Sequence, residues 1–166
     1  LPLNDMKALK PGSGCQAGLV SPTAKLLVDL LVLADEEALW LLVDRVRAEA
    51  VLKTLDHYCM TEAVTFHDHT QTSTSFALQG PQSLSLLRQI LNVPLGFQQP
   101  LDHVTVTIDT VPVRLIAQSL TGEPGAILVV PAEHAAWLWD FLIQRGRPHG
   151  LIPIGWESLN VLRIEA

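Results

Sequence analysis

The chain has 166 residues, 48% of them hydrophobic, and a formal net charge of -6 at pH 7. That length holds one domain with a real core, and that charge excludes the clustered Lys and Arg of a nucleic-acid footprint. No apolar run approaches the roughly 18–20 residues of a membrane span, and the start, Leu1-Pro2-Leu3-Asn4-Asp5, lacks the basic and apolar segments of a signal peptide.

Residues 3–9 read as the tail of a helix or turn, stopped by Lys10-Pro11-Gly12. The chain is expected to begin inside a larger fold, and to end inside one, within the amphipathic run 158–166. Residues 15–20 form a strand closed at Ser21-Pro22-Thr23. The mostly apolar run 25–34, carrying the single acid Asp29, suits a strand buried on both faces. Asp35-Glu36-Glu37 turns the chain, and 38–43 returns as a hairpin partner. Asp44 is placed as the N-cap of a helix reaching Tyr58, with Val46, Ala50 or Val51, Leu55 and Tyr58 on its inner face.

Residues 64–70 and 73–78 read as two more strands. Gln79-Gly80-Pro81 ends the second and opens a helix whose stripe is Leu84, Leu87, Ile90 and Leu91. A Pro-, Gly- and Gln-rich loop spans 92–100. Strands at 104–108 and 111–117 flank Asp109-Thr110. Leu120-Thr121-Gly122-Glu123-Pro124-Gly125 is a shaped turn, because Gly122 and Gly125 can take positive φ and Pro124 fixes its own. The strand 126–130 follows it. Pro131 begins a helix that turns Leu138, Phe141 and Leu142 inward and ends at Gly146 as a left-handed stop. A loop, 147–153, leads to a last helix, 155–165. Antiparallel hairpins with helices on one side make an α+β domain, a single one over 1–166 in two subdomains that meet near 92–103.

Several groups could carry chemistry. Glu123 sits at the tip of its turn, where a carboxylate can accept two parallel N–H donors from a flat heterocycle; the same spacing fits a hairpin turn with a solvated Glu. On the expected strand 64–70, His67 and His69 share a face, yet a metal site needs a third and usually a fourth ligand, and none is near in sequence. Cys15 and Cys59 make neither a CxxC pair nor zinc spacing. They read as free thiols in a reducing, cytoplasmic setting, Cys15 as a buried one. Trp137 and Trp139 fall on different helix faces, so one is expected at the surface.

Four patches together resemble the folate-binding domain of the aminomethyltransferase family, which includes the glycine cleavage system T-protein and its YgfZ-like relatives. They are Leu26-Leu27-Val28-Asp29-Leu30-Leu31-Val32, Ala77-Leu78-Gln79-Gly80-Pro81, Thr121-Gly122-Glu123 with Gly125, and Leu162-Arg163-Ile164-Glu165-Ala166. Their order and spacing cover nearly the whole chain. The resemblance implies ferredoxin-like α+β halves and a tetrahydrofolate site. In it Glu123, with Thr121 and Gly122, would hold the pterin ring, Arg163 would lie in the ligand zone, and Asp29 would stand near the reacting folate nitrogen. It also implies a lipoyl carrier protein as donor of the aminomethyl group. The sequence departs from the family at Ala24-Lys25 and Val28, where T-proteins carry two glycines and a first Asp, and at Leu120 in place of Tyr. It lacks the Lys-Gly-Cys-x-Gly-Gln motif of YgfZ-like proteins. Folate binding is therefore the first expectation, and one-carbon transfer follows if the chain is active. A non-catalytic YgfZ-like role in iron–sulfur cluster maintenance and a truncated interaction module without ligand are the alternatives. The apolar composition further predicts association, as a homodimer or with a complementing chain, through the run 25–43 and the last helix.

Overall fold

The computed structural model describes residues 6–21, 23, 25–59 and 63–165. The fold is α+β, with antiparallel sheets and, among the described residues, four α-helices. The chain divides into two compact units, Leu1–Gln71 and Thr72–Ala166. The loop 92–103, where a subdomain boundary is expected, lies inside the second.

The first unit is a three-stranded antiparallel meander, β1 (Gly14–Val20), β2 (Leu26–Ala34) and β3 (Leu39–Leu42), followed by helix α1 (Ala48–Tyr58). Alternation along β2 sends Val28, Leu30 and Val32 to one face. There they meet Ala17 and Leu19 of β1 and Val51 of α1 in a buried cluster. The other face is open at its start, where Leu27 and Asp29 are exposed. The expectation of a strand buried on both faces thus holds only at Val32, Leu33 and Ala34.

Two further readings of this unit are corrected. A 3-10 turn, Arg45–Arg47, precedes α1, and Asp44 makes no side-chain capping hydrogen bond. The tighter winding of that turn breaks the expected phase. Val46 is left 81% exposed, and Tyr58, at the helix end, 55% exposed. Residues 64–69 are irregular rather than a strand. Asp68 accepts a hydrogen bond from the Thr70 backbone N–H at 2.8 Å, a local turn that competes with strand pairing.

The second unit holds a four-stranded antiparallel sheet in the order β4-β7-β6-β5. Its strands are β4 (Ser73–Gln79), β5 (His103–Ile108), β6 (Val111–Ala117) and β7 (Gly125–Pro131). Asp109 and Thr110 both take positive φ, 45° and 76°, the conformation of a two-residue hairpin whose twist matches its strands. Leu78, Val113, Leu115, Ala126, Leu128 and Val130 face one side. Against them pack Leu87 of α2 (Ser83–Leu91) and Leu138 and Leu142 of α3 (Ala135–Gly146). Leu84 and Leu91 of the expected α2 stripe pack half-buried beside Leu87 on this cluster, and Ile90 and Leu86 are buried as well.

Helix α3 also ends differently. Gly146 is helical at φ -87°, a 3-10 turn Arg147–His149 follows, and the left-handed residue is Gly150 at φ 85°. Of the two tryptophans, Trp139 is the exposed one and lies 5.7 Å from the Phe76 ring. Helix α4 (Trp156–Glu165) buries only Leu159. Ile152, Ile154, Trp156, Val161 and Ile164 are exposed, as are Leu26, Leu27 and Leu39 of the first unit. Among the described residues, no helix is long and apolar enough to cross a membrane.

Candidate functional site

The turn between β6 and β7 is built by side chains that reach it from another part of the chain. Gln79, the last residue of β4, pairs with Gly125, the first of β7. Its side-chain Nε2 donates to the Gln118 carbonyl at 3.0 Å. Its Oε1 accepts the Leu120 backbone N–H at 2.8 Å. One primary amide thereby closes the entry of the turn. The exit is held by the residues after Gln79. The Gly80 N–H and the Ser83 hydroxyl both donate to the Pro124 carbonyl, at 3.0 and 2.7 Å. Ser83 is buried. The ends also meet directly, Gln118 N–H donating to the Gly125 carbonyl at 3.0 Å.

The glycines of this turn do different things. Gly122 takes φ 76°, the left-handed region where a Cβ is strained. Gly125 does not take positive φ, which corrects that expectation. Its need is space, because a Cβ there would run into the side-chain amide of Gln79. Glu123 projects from the tip and is exposed, and Thr121 beside it is half-buried. The structure therefore joins two of the four sequence patches into one assembly, with Gln79 and Ser83 as its ties. Sequence reasoning missed both roles. The available signal was a Gln at a strand end followed at once by Gly-Pro, a place where a long amide can turn back on the backbone.

The other expected site residues fall as follows. Asp29 lies in the first unit, on the exposed face of β2 opposite Gly18 of β1. Arg163 is exposed on α4, and its Nη1 donates to Asn160 Oδ1 at 3.4 Å. Among the described residues, no hydrogen bond or ion pair joins Arg163 to Thr121, Gly122 or Glu123.

The histidines are placed by the irregular 64–69 segment. His69 stacks on Trp40 with ring centroids 5.3 Å apart, and His67 is exposed. Among the described residues, no group of three or more His, Cys, Asp or Glu comes together to hold a metal. Cys15 packs against the cluster under the first sheet, and burial pushes its thiol above the ordinary range. A thiol shifted that way is a poorer nucleophile at neutral pH.

The GCVT N-terminal domain model matches residues 1–166. The chain belongs to that family. It is 30% identical over 166 residues to an aminomethyltransferase of Desulforamulus reducens, covering 98% of this chain and 45% of that protein. It is 26% identical over 165 residues to one of Chlorobium luteolum, with the same coverage. The crystal structure of glycine cleavage system aminomethyltransferase T from Bartonella henselae superposes with a TM-score of 0.81 at 22% identity. That superposition covers 99% of this chain and 44% of the other, and it shows a shared fold. The GCVT chain spans about half the length of the curated relatives it matches.

Proposed function

We propose that this GCVT-family chain binds tetrahydrofolate at the turn 118–125, with Glu123 as the anchor, and that it serves aminomethyl transfer to folate. The observation that carries the reading is the exposed Glu123 carboxylate on a turn tied at both ends by Gln79, Gly80 and Ser83. The aminopyrimidinone edge of a pterin presents two adjacent N–H donors, and a carboxylate accepts both at once. A fixed backbone removes part of the ordering cost of that contact. The Glu123 carboxylate is the acceptor those two donors require. Folate, when bound, supplies the nitrogen that accepts the one-carbon unit, so no Ser or Cys nucleophile is required. The curated relatives carry the name aminomethyltransferase. A lipoyl carrier protein would be the donor, and Arg163 would pair with an anionic or carbonyl group in the ligand zone.

The roles of Glu123 and Asp29 separate experimentally. Glu123→Ala is expected to weaken tetrahydrofolate binding by about 1.5–3 kcal/mol, the range for a hydrogen bond to a charged group. Calorimetry on the two proteins checks it, and equal affinities would remove Glu123 from the site. Asp29→Asn is expected to leave affinity close to wild type and to slow transfer by ~10²-fold, as for loss of a group that handles a proton. A rate equal to wild type in single-turnover transfer would end that role.

A further inference from the structure

We infer that Gln79 is a positioning residue for tetrahydrofolate recognition: it sets where the Glu123 carboxylate stands without touching the ligand. This rests on the folate reading above and adds to it a residue 44 positions away in sequence from the proposed anchor. Both halves of the Gln79 amide are already committed to backbone, Nε2 to the Gln118 carbonyl at 3.0 Å and Oε1 to the Leu120 N–H at 2.8 Å. Those two bonds fix the amide plane against the backbone of the turn, so loss of the side chain acts on the turn first. Gly125 fits the same device, since a Cβ at that position would occupy the place of the amide. Ser83 and Gly80 hold the other end at the Pro124 carbonyl. Between those two ties lie Thr121, Gly122 and Glu123. Release of the entry tie leaves a hinge at Leu120, with Gly122 as its most mobile joint.

The expected consequence is a loss of pre-organisation. If the released turn presents Glu123 correctly in about one molecule in ten, apparent affinity falls about tenfold. Because the effect is transmitted by Glu123, it must vanish when Glu123 is gone.

The test is a double-mutant cycle on the full chain, with tetrahydrofolate as the titrant. It uses wild type, Gln79→Ala, Glu123→Ala and the double variant, with hydrogen exchange followed at the Leu120 amide. Gln79→Ala should weaken binding about tenfold when Glu123 is present and leave it unchanged on the Glu123→Ala background. Leu120 exchange should accelerate. Gln79→Glu keeps an acceptor for Leu120 but sets a carboxylate oxygen against the Gln118 carbonyl, so it should weaken binding at least as far as Gln79→Ala. Wild-type affinity in Gln79→Ala, with faster Leu120 exchange, would overturn the positioning role and leave the folate reading standing. Equal losses on both backgrounds would overturn it too, since Gln79 would then act independently of Glu123. No tetrahydrofolate binding by wild type would remove the folate reading and this inference together, and binding undiminished in Glu123→Ala would remove Glu123 as the anchor and this inference with it. Should Gln79→Ala fail to fold, Gln79→Met, which keeps the length of the side chain and loses its amide donor and acceptor, is held to the same cycle.

Discussion

Two loops carry the polar residues that invite a functional reading, and they are held in opposite ways. The segment 63–71 in the first unit is held by one local bond and by exposed side-chain contacts that reach back to Trp40 and Arg45. Asp68 accepts from Thr70 two residues on, His69 rests on the Trp40 ring, and Arg45 donates to the Gln71 side chain at 2.9 Å. The turn 118–125 in the second unit is tied by side chains 39 and 41 residues away. Exposed side-chain ties fix a bend but leave its imidazoles largely in water, where they gain little from being two residues apart. Part-buried ties to backbone hold a tip against a sheet, so a single carboxylate there is carried on a fixed main chain. The difference teaches that spacing along the chain is weak support for a site, and that part-buried scaffolding of the backbone is stronger.

If the sheet is the frame of the turn, damage beneath it should be the costliest change. Leu128 is fully buried on β7, in the cluster shared with α2 and α3. Leu128→Ala removes its packing and leaves a cavity, at an expected cost of about 2–5 kcal/mol of stability. Urea unfolding reads this directly. A loss below about 0.5 kcal/mol would place the site among surface positions and break the link between sheet and turn.

A sharper version targets the tie itself. Gly125→Ala drives a methyl group against the Gln79 amide. Overpacking of this kind costs about 1–3 kcal/mol, less if the Gln side chain swings away. Swinging away abandons the bonds to Gln118 and Leu120, so relief of strain should appear as faster amide exchange at Leu120. A stable Gly125→Ala protein with a protected Leu120 amide would show that the contact yields without loosening the turn. A matched change in the other loop, Thr70→Ala, removes a hydroxyl bonded to the exposed Asp68 but leaves the backbone N–H, so stability should move by less than about 0.5 kcal/mol.

Much of this fold was legible because its strands state themselves. Val111, Val113 and Leu115 alternate with Pro112 and Arg114, and the chain pairs them as the pattern requires. The hairpin at Asp109-Thr110 and the helices after Gln79 and Pro131 follow from the same local rules. The errors arose where local rules compete with something outside the window. Val46 was read in helical phase, but a 3-10 turn intervenes before α1. Residues 64–70 have a strand's composition, yet the Asp68–Thr70 bond turns the backbone. At the candidate site, Gly122, Glu123 and Pro124 advertised a shaped turn. Nothing local could show that Gln79 and Ser83 shape it, because that information is carried by the pairing of β4 with β7. Gly125 was misread for the same reason, as its constraint is the neighbour's amide rather than its own φ.

The smallest expected effect belongs to the local loop and has a definite sign with pH. The Thr70 hydroxyl and then the Thr70 backbone N–H, both hydrogen-bonded to Asp68, hold its carboxyl below the ordinary carboxylate range. A depressed folded-state value means that the charged form is favoured by folding. The turn's contribution is therefore full above the unfolded Asp value, ~3.9, and fades as pH falls through the lower, folded one. Asp68 is exposed, so the effect is screened and confined to the turn. An NMR titration should show the Thr70 amide moving with a midpoint below that of an unstructured Asp. Asp68→Asn should abolish the movement while its amide oxygen still accepts from Thr70. A midpoint at or above the ordinary Asp value would mean the local tie is not made in solution. The contrast between the loops would then be wider still, since the first would keep only its exposed contacts to Trp40 and Arg45.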